Sequence, residues 1–515
     1  MIGRLLSVGG FTALSRIAGF ARDVVMAAVL GAGPLSDAFV VALRLPNHFR
    51  AVFAEGAFTA AFVPRYAAAA ATEGHGPGSP AAAFANEVFA WQFAAQVALL
   101  IAALVFMPWV IAVLAPGFAG EPEQFALAVE LTRITFPYSM AVAVVTQLSV
   151  MLNAIGRFRA AAAAPIFFSL SIIAGLFAAD YFSTPAHAAA VGVLAAGVFE
   201  LLLLFWASAR AGLWLKFTRP RWSPRIGEFF RALTAAATGA GSVQIGLFID
   251  TIIASFLPSG DLTSLYYADR INQLPMGIVG VALGTVLLPE MSTRLAAGDE
   301  KGAYVAQNRA VVFGLLFTLP CLAAFLVMPE IIMRALFARG AFGVEAAGTS
   351  ALALMAYGIG LPAFVLVRCV VPSFYARGDT ATPVRATLLS VAAGIGAKLV
   401  LVWGLSYGAA GLALGTSLGA WINLAVLILL ARRRGVLVVT AELKRAGVPV
   451  AVIVALTALG FFAGTAVAPA LLADGALAQE GTFLLAAALG GAAFTASAIV
   501  FRGRLPLREA IRHTS

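Results

Sequence analysis

The stretch that decides the fold is Arg16–Glu55, RIAGFARDVVMAAVLGAGPLSDAFVVALRLPNHFRAVFAE. Arg16, Arg22, Asp23, Asp37, Arg44, Arg50 and Glu55 stand in it among residues otherwise apolar enough to lie in lipid. The rest of the chain has the same character. Of its 515 residues 61% are hydrophobic and only 11% are charged, with a mean hydropathy of +0.95. A water-soluble domain carries about 25% charge. Apolar runs close to the roughly 20 residues that cross hydrocarbon as a helix recur from end to end. They lack the alternation of a membrane strand. They are rich in Ala, Leu and Gly, and the 50 glycines permit close helix contacts and broken helices. The reading is a polytopic all-α membrane protein. An ionisable group at such depth normally faces a bundle interior or a watery cavity and marks function. Several arginines together point to an anion.

Fourteen spans fit the pattern, near 5–30, 36–64, 84–114, 125–155, 160–179, 186–209, 228–257, 263–292, 305–335, 346–375, 382–403, 409–431, 447–470 and 481–501. Arg16, Arg22 and Asp23 interrupt what would be the core of a secretion signal, so the first span reads as a retained helix. One set of loops carries Arg65, Arg157, Arg159, Arg210, Lys216, Arg219, Arg221, Arg225, Arg294, Lys301, Arg377, Arg432, Arg433, Arg434, Lys444 and Arg445, and the tail adds Arg502 to Arg512. In the opposite set only Arg339 is basic. The positive-inside rule then places the first set and both termini in the cytoplasm. This accounts for the net charge of +10 without nucleic acid.

A faint repeat is visible. Leu45-Pro46, Met107-Pro108, Phe136-Pro137 and Asn153-Ala-Ile-Gly156 are echoed in order, 220–230 residues later, by Leu274-Pro275, Met328-Pro329, Leu361-Pro362 and Tyr375-Ala-Arg-Gly378. It relates spans of the same orientation, as parallel transporter repeats do. The expected organisation is an N-terminal six-helix lobe over 1–215, a pseudo-symmetric lobe over 216–435, and a helix pair with a basic tail over 436–515.

Depth follows from a rise of about 1.5 Å per residue. Arg16 falls near mid-membrane, Asp37 at the outer mouth, Arg44 and Arg270 about 10 Å in from it, and Arg50 about 20 Å in. Asp37 and Arg44, seven residues apart, share a helix face. Guanidiniums stay charged when desolvated and offer forked donors to phosphate oxygens, so the set suits a pyrophosphate. Asp37, Glu55 and Asp269 would balance it when empty. The competing reading is of structural pairs, Arg16–Asp37 or Arg44–Glu55, that lock helices. Asp250 and Lys398 are isolated intramembrane charges, either an ion site or a structural pair, and Glu200 has no assignable role. The four histidines form no metal spacing, Cys321 and Cys369 lie in apolar segments, and no GxxxxGK[ST] loop is present.

The segments SRIAGFARD (15–23), LGAGPLSDAF (30–39), RLPNHFRAVFAEGAFTAAFVP (44–64), ITFPY (134–138), YYADRINQLPMGIVGVALGTVLLP (266–289) and FYARGDTATPV (374–384) resemble the MurJ/MviN family of bacterial lipid II flippases. That family lies within the multidrug/oligosaccharidyl-lipid/polysaccharide exporter superfamily. The likeness covers essentially the whole chain. It implies a 14-helix protein of the bacterial inner (cytoplasmic) membrane with two lobes around a central cavity. It implies movement of lipid II, an undecaprenyl-pyrophosphate disaccharide-pentapeptide, from the inner to the outer leaflet by alternating access. Such a protein is a secondary-type transporter, not an enzyme; it has no cofactor, and its coupling ion stays open. Its partners would be lipid II, membrane phospholipid and the peptidoglycan synthesis machinery. The resemblance assigns function to Arg16, Arg22, Arg270 and Asp37, and places Arg50 and Glu55 on motif positions. Arg44 stands where members commonly have Lys, and Gln273 where some have Glu. The last two spans would hold the prenyl tail. Some members bind sodium between helices seven, eleven and twelve; Asp250 suits such a site, whereas Lys398 would replace the ion. A flippase for another prenyl-pyrophosphate glycan would use the same arginines, and a cation-coupled drug exporter would favour carboxylates.

Overall fold

A computed structural model describes residues 2–50, 56–76, 78–471 and 477–505. Its regular structure is helical throughout the described residues, and the chain divides into two compact units, residues 1–260 with 340–342, and residues 261–339 with 343–515.

The first unit contains α1 (Ile2–Leu30), α2 (Pro34–Phe49), α3 (Ala57–Glu73), α4 (Pro80–Leu114), α5 (Pro122–Thr135), α6 (Tyr138–Ala154), α7 (Arg159–Phe177), α8 (Pro185–Arg210) and α9 (Pro224–Ala254). The second contains α10 (Asp261–Pro275), α11 (Val281–Ala296), α12 (Glu300–Val327), α13 (Pro329–Phe337), α14 (Val344–Tyr375), α15 (Ala381–Leu399), α16 (Gly408–Arg433), α17 (Ala441–Leu471) and α18 (Ala478–Phe501). Among the described residues eleven helical segments are long and apolar enough to cross a membrane. The other three expected spans fall on α1, on α2 and α3, and on α9.

Helix starts follow local chemistry. Ser79, Thr184, Ser223 and Asp299 accept hydrogen bonds from backbone N–H groups in the first turns of α4, α8, α9 and α12. Proline opens α4, α8, α9 and α13, where its missing N–H costs nothing. Pro275 ends α10, and a π-helical turn over Met276–Gly280 joins it to α11. Proline removes a helix hydrogen bond, and a widened turn accommodates the break.

In the first unit, Phe62 stacks with Phe58, Tyr66 and Phe84, while Phe229 of α9 meets Phe58 and Phe84 edge-on. This core ties α3 and α4 to α9. A second fastening closes the end of α1. The Ala28 carbonyl, one of the last four with no partner inside the helix, accepts the Ala341 N–H at 2.7 Å. Gly340 allows this approach: it sits at φ +59°, and a Cβ there would lie 2.2 Å from the Ala28 oxygen.

The second unit relies on small residues. Without water between helices, close backbone approach and dispersion hold them together. A Cβ on Gly415 of α16 would lie 2.4 Å from Lys398 Cγ of α15. A Cβ on Gly464 of α17 would lie 2.4 Å from Ala486 Cα of α18.

Candidate functional site

The first unit buries a network of charge. Arg22 and Asp23 are adjacent on α1, and the Arg22 guanidinium donates to Asp23 Oδ1 through Nη2 at 2.6 Å and Nε at 3.1 Å. Both side chains are buried. Arg22 Cζ also lies 5.4 Å over the ring of Phe168 on α7, and that ring is 5.1 Å from Tyr138 on α6. The Tyr138 hydroxyl donates to Glu200 Oε2 of α8 at 3.4 Å and accepts a hydrogen bond from Arg50. Arg50 and Glu200 attract each other as opposite charges. Two guanidiniums and two carboxyl groups thus lie around a pair of aromatic rings. Taking Arg22 off Asp23 would leave a desolvated charge uncompensated, so another anion is the natural exchange partner. Phosphate oxygens, which match the guanidinium fork, are suitable acceptors.

The sequence pointed to Arg22 and Arg50 but not to their organisers. Glu200 is only 4% exposed and belongs to the network. The signal in the sequence was a lone carboxylate in an apolar run; its partner Tyr138, 62 residues away, ends the ITFPY segment.

Asp37 and Arg44 face partners of a different kind. Asp37 Oδ2, buried in the first turn of α2, accepts the Gly260 backbone N–H at 2.7 Å. Arg44 Nη1 donates to Thr251 Oγ1 of α9 at 3.0 Å. One turn further along α2, His48 Nδ1 meets Gln244 Oε1 of α9 at 2.8 Å, and its ring lies against Phe248. Three residues of α2 therefore bind α9 and the loop after it. Arg16 is exposed on α1, and no ion pair among the described residues includes it. Glu55 lies outside the described residues.

In the second unit, Arg270 lies with Cζ 4.6 Å over the Tyr266 ring and donates from Nη2 to the Tyr266 hydroxyl at 3.0 Å. Asp269 accepts from Gln273 one turn on. The neutral Gln273 thus serves as a donor to the carboxylate beside Arg270. Lys398 is buried on α15 beside Gly415, and Asp250 is half-buried on α9. Among the described residues, no three His, Cys, Asp or Glu converge as metal ligands.

Comparison with known proteins adds the family. A family model described as lipid II flippase MurJ matches residues 26–474. A probable lipid II flippase MurJ of Rhizobium meliloti (strain 1021) is 43% identical over 82% of this chain and 79% of its own. The lipid II flippase MurJ of Burkholderia cenocepacia is 33% identical over 84% of each chain. Among solved structures, the inward closed conformation of a lipid II flippase MurJ superposes with a TM-score of 0.78 at 24% identity, covering 96% of this chain and 99% of that one. An inward-facing multidrug-resistance transporter of the MATE family gives 0.67 at 16% identity, covering 86% and 99%. These two superpositions speak to the fold.

Proposed function

This chain belongs to the MurJ lipid II flippase family, and from that premise we propose that it carries lipid II from the inner to the outer leaflet of the bacterial cytoplasmic membrane. The observation that best supports this reading is the network of buried Arg22, Asp23 and Glu200 with half-buried Arg50 around Phe168 and Tyr138. A pyrophosphate presents several acceptor oxygens, and Arg22 already rests on a carboxylate while Arg50 lies within the field of one. Exchange of a carboxylate for phosphate keeps such a guanidinium paired throughout, so no step leaves a bare charge in a desolvated site. The lipid tail stays in hydrocarbon while the headgroup is passed.

In this reading the chain crosses the membrane fourteen times, with both termini cytoplasmic. Residues 1–215 and 216–435 form two six-helix lobes, and 436–515 an added helix pair for the prenyl tail. Arg16, Arg22, Arg44, Arg50 and Arg270 form the anion path; Asp37, Glu55 and Asp269 are its counter-charges. Lys398, buried on α15, supplies a fixed positive charge of the kind that stands in for a bound cation.

The test is replacement of the resident flippase in a depletion strain. Wild-type chain should restore growth and clear lipid II from the inner leaflet. Arg22→Ala and Arg50→Ala, at matched membrane abundance, should leave lipid II on the inner leaflet and end in lysis. Normal leaflet transfer by both variants would overturn the anion role of the network.

A further inference from the structure

A cavity of about 430 Å³ opens at the end of the first unit where α6 finishes, α7 begins and α8 finishes. Its lining includes Arg157, Arg159 and Arg210, the aromatic side chains of Phe11, Phe158 and Trp206, and no carboxylate. The two loops that supply the arginines belong to the basic, cytoplasmic set. Two of the guanidiniums are held in place. Arg157 Nη1 donates to the backbone carbonyl of Arg210 at 3.1 Å, which also caps the end of α8. Arg210 Cζ stacks 4.3 Å over the Trp206 ring. Phe158 and Trp206 are 39% and 55% exposed, so the mouth is bordered by aromatic rings of the kind that settle at the headgroup level.

We propose that this cavity binds an anionic phospholipid of the cytoplasmic leaflet, its phosphate among Arg157, Arg159 and Arg210 and its first methylenes against the apolar wall. Three cations with no acid among them call for an anion. An apolar wall beside them favours an anion attached to hydrocarbon over a free one. The volume suits a phosphoglycerol headgroup, with the acyl chains left in the bilayer. The site is built from α1, α6, α7, α8 and the loop between α6 and α7, and shares no side chain with the Arg22–Arg50 network. It is independent of the proposed cargo.

The experiment uses the full chain in detergent, with lipid binding read by native mass spectrometry and by thermal stability. Phosphatidylglycerol should bind and stabilise the wild type, whereas phosphatidylcholine should not. The combined Arg157→Ala, Arg159→Ala, Arg210→Ala variant should bind phosphatidylglycerol at least about tenfold more weakly, since each basic residue near a lipid surface contributes measurably. Trp206→Ala, which keeps every charge, should weaken binding by a smaller factor and covers the case in which the triple variant folds poorly. A control that removes Arg432, Arg433 and Arg445 takes away the same charge elsewhere and should bind normally. Equal loss in the control would reduce the effect to bulk charge and overturn the site. Equal stabilisation by inorganic phosphate, or by phosphatidylcholine, would overturn the assignment to an anionic lipid.

Discussion

The seam between α17 and α18 permits a prediction in which two like substitutions have opposite signs. Gly460 and Gly464 lie one turn apart on α17. A Cβ on Gly464 would meet Ala486 Cα at 2.4 Å, N at 2.9 Å and Cβ at 3.0 Å; on Gly460 it would meet the Leu489 carbonyl oxygen at 2.8 Å. Carbon atoms pack at about 3.5–4.0 Å, so Gly464→Ala forces the helices apart by about 1 Å. The nearest atoms are backbone and cannot turn aside. Overpacking of this kind costs about 1–3 kcal/mol, and the rigid neighbour selects the upper end. Against it stands the helical preference of Ala over Gly, about 1 kcal/mol. The net expectation is a loss of about 2 kcal/mol. Gly491 of α18 has no heavy atom within 4 Å of its built Cβ, so Gly491→Ala keeps only the helical preference and gains up to about 1 kcal/mol. The two variants should differ by about 3 kcal/mol, on the order of 100-fold in the unfolding equilibrium. The assay is unfolding of the purified chain in mixed micelles with increasing dodecyl sulfate, followed by far-ultraviolet circular dichroism. If Gly464→Ala proves as stable as Gly491→Ala, close backbone approach is not what holds these helices.

Three further predictions address the charged residues. Asp37→Ala should destabilise the first unit by about 1–3 kcal/mol, because it leaves the Gly260 N–H without this acceptor, while Asp37→Asn should cost clearly less in the same unfolding assay. Arg270→Lys should reduce leaflet transfer by about tenfold at matched abundance, since an ammonium lacks the fork that reaches Tyr266 and phosphate together; unchanged transfer would mean that a point charge suffices there. Hydrogen bonds from Thr382 and then Arg434 hold the Asp379 carboxyl below its ordinary value of 3.8. A carboxyl lowered on folding stabilises above the unfolded value and ceases to do so as pH falls through the folded one. The stability advantage of the wild type over Asp379→Asn should therefore be full at pH 6, begin to fall near pH 3.8 and be lost only once the pH has passed below the lowered folded value; a gap that persists in still stronger acid would show another origin.

The apolar runs made the helical, membrane-crossing class legible, because length and hydropathy are local properties. The charged runs of α1, α2 and α9 were legible for the same reason in reverse: their ionisable residues stood out against lipid. Partners were not. Asp37 and Arg44 share a face by spacing, yet one reaches Gly260 and the other Thr251, 223 and 207 residues away. No local pattern encodes such pairings. Glu200 was visible as an oddity but acquired a role only when Tyr138 and Arg50 were found beside it. The neutral Gln273, standing where some family members have Glu, donates to Asp269, a contact that its spacing of one turn allows but does not require. Close helix approach was readable as glycine abundance, but which glycines are closed to a side chain depends on the neighbouring helix.

Arg22 and Asp23 are neighbours on one helix and bonded to each other, so they travel as a unit whose charges cancel. A voltage across the membrane does about 2.3 kcal/mol of work per 100 mV on a full elementary charge carried through it. On this pair it does almost none, however far α1 moves. An arginine paired in this way could change depth with its helix without doing appreciable work against the resting potential. Arg16, exposed one and a half turns earlier on the same helix, has no such neighbour, and it is the residue of this trio through which an electric field can pull.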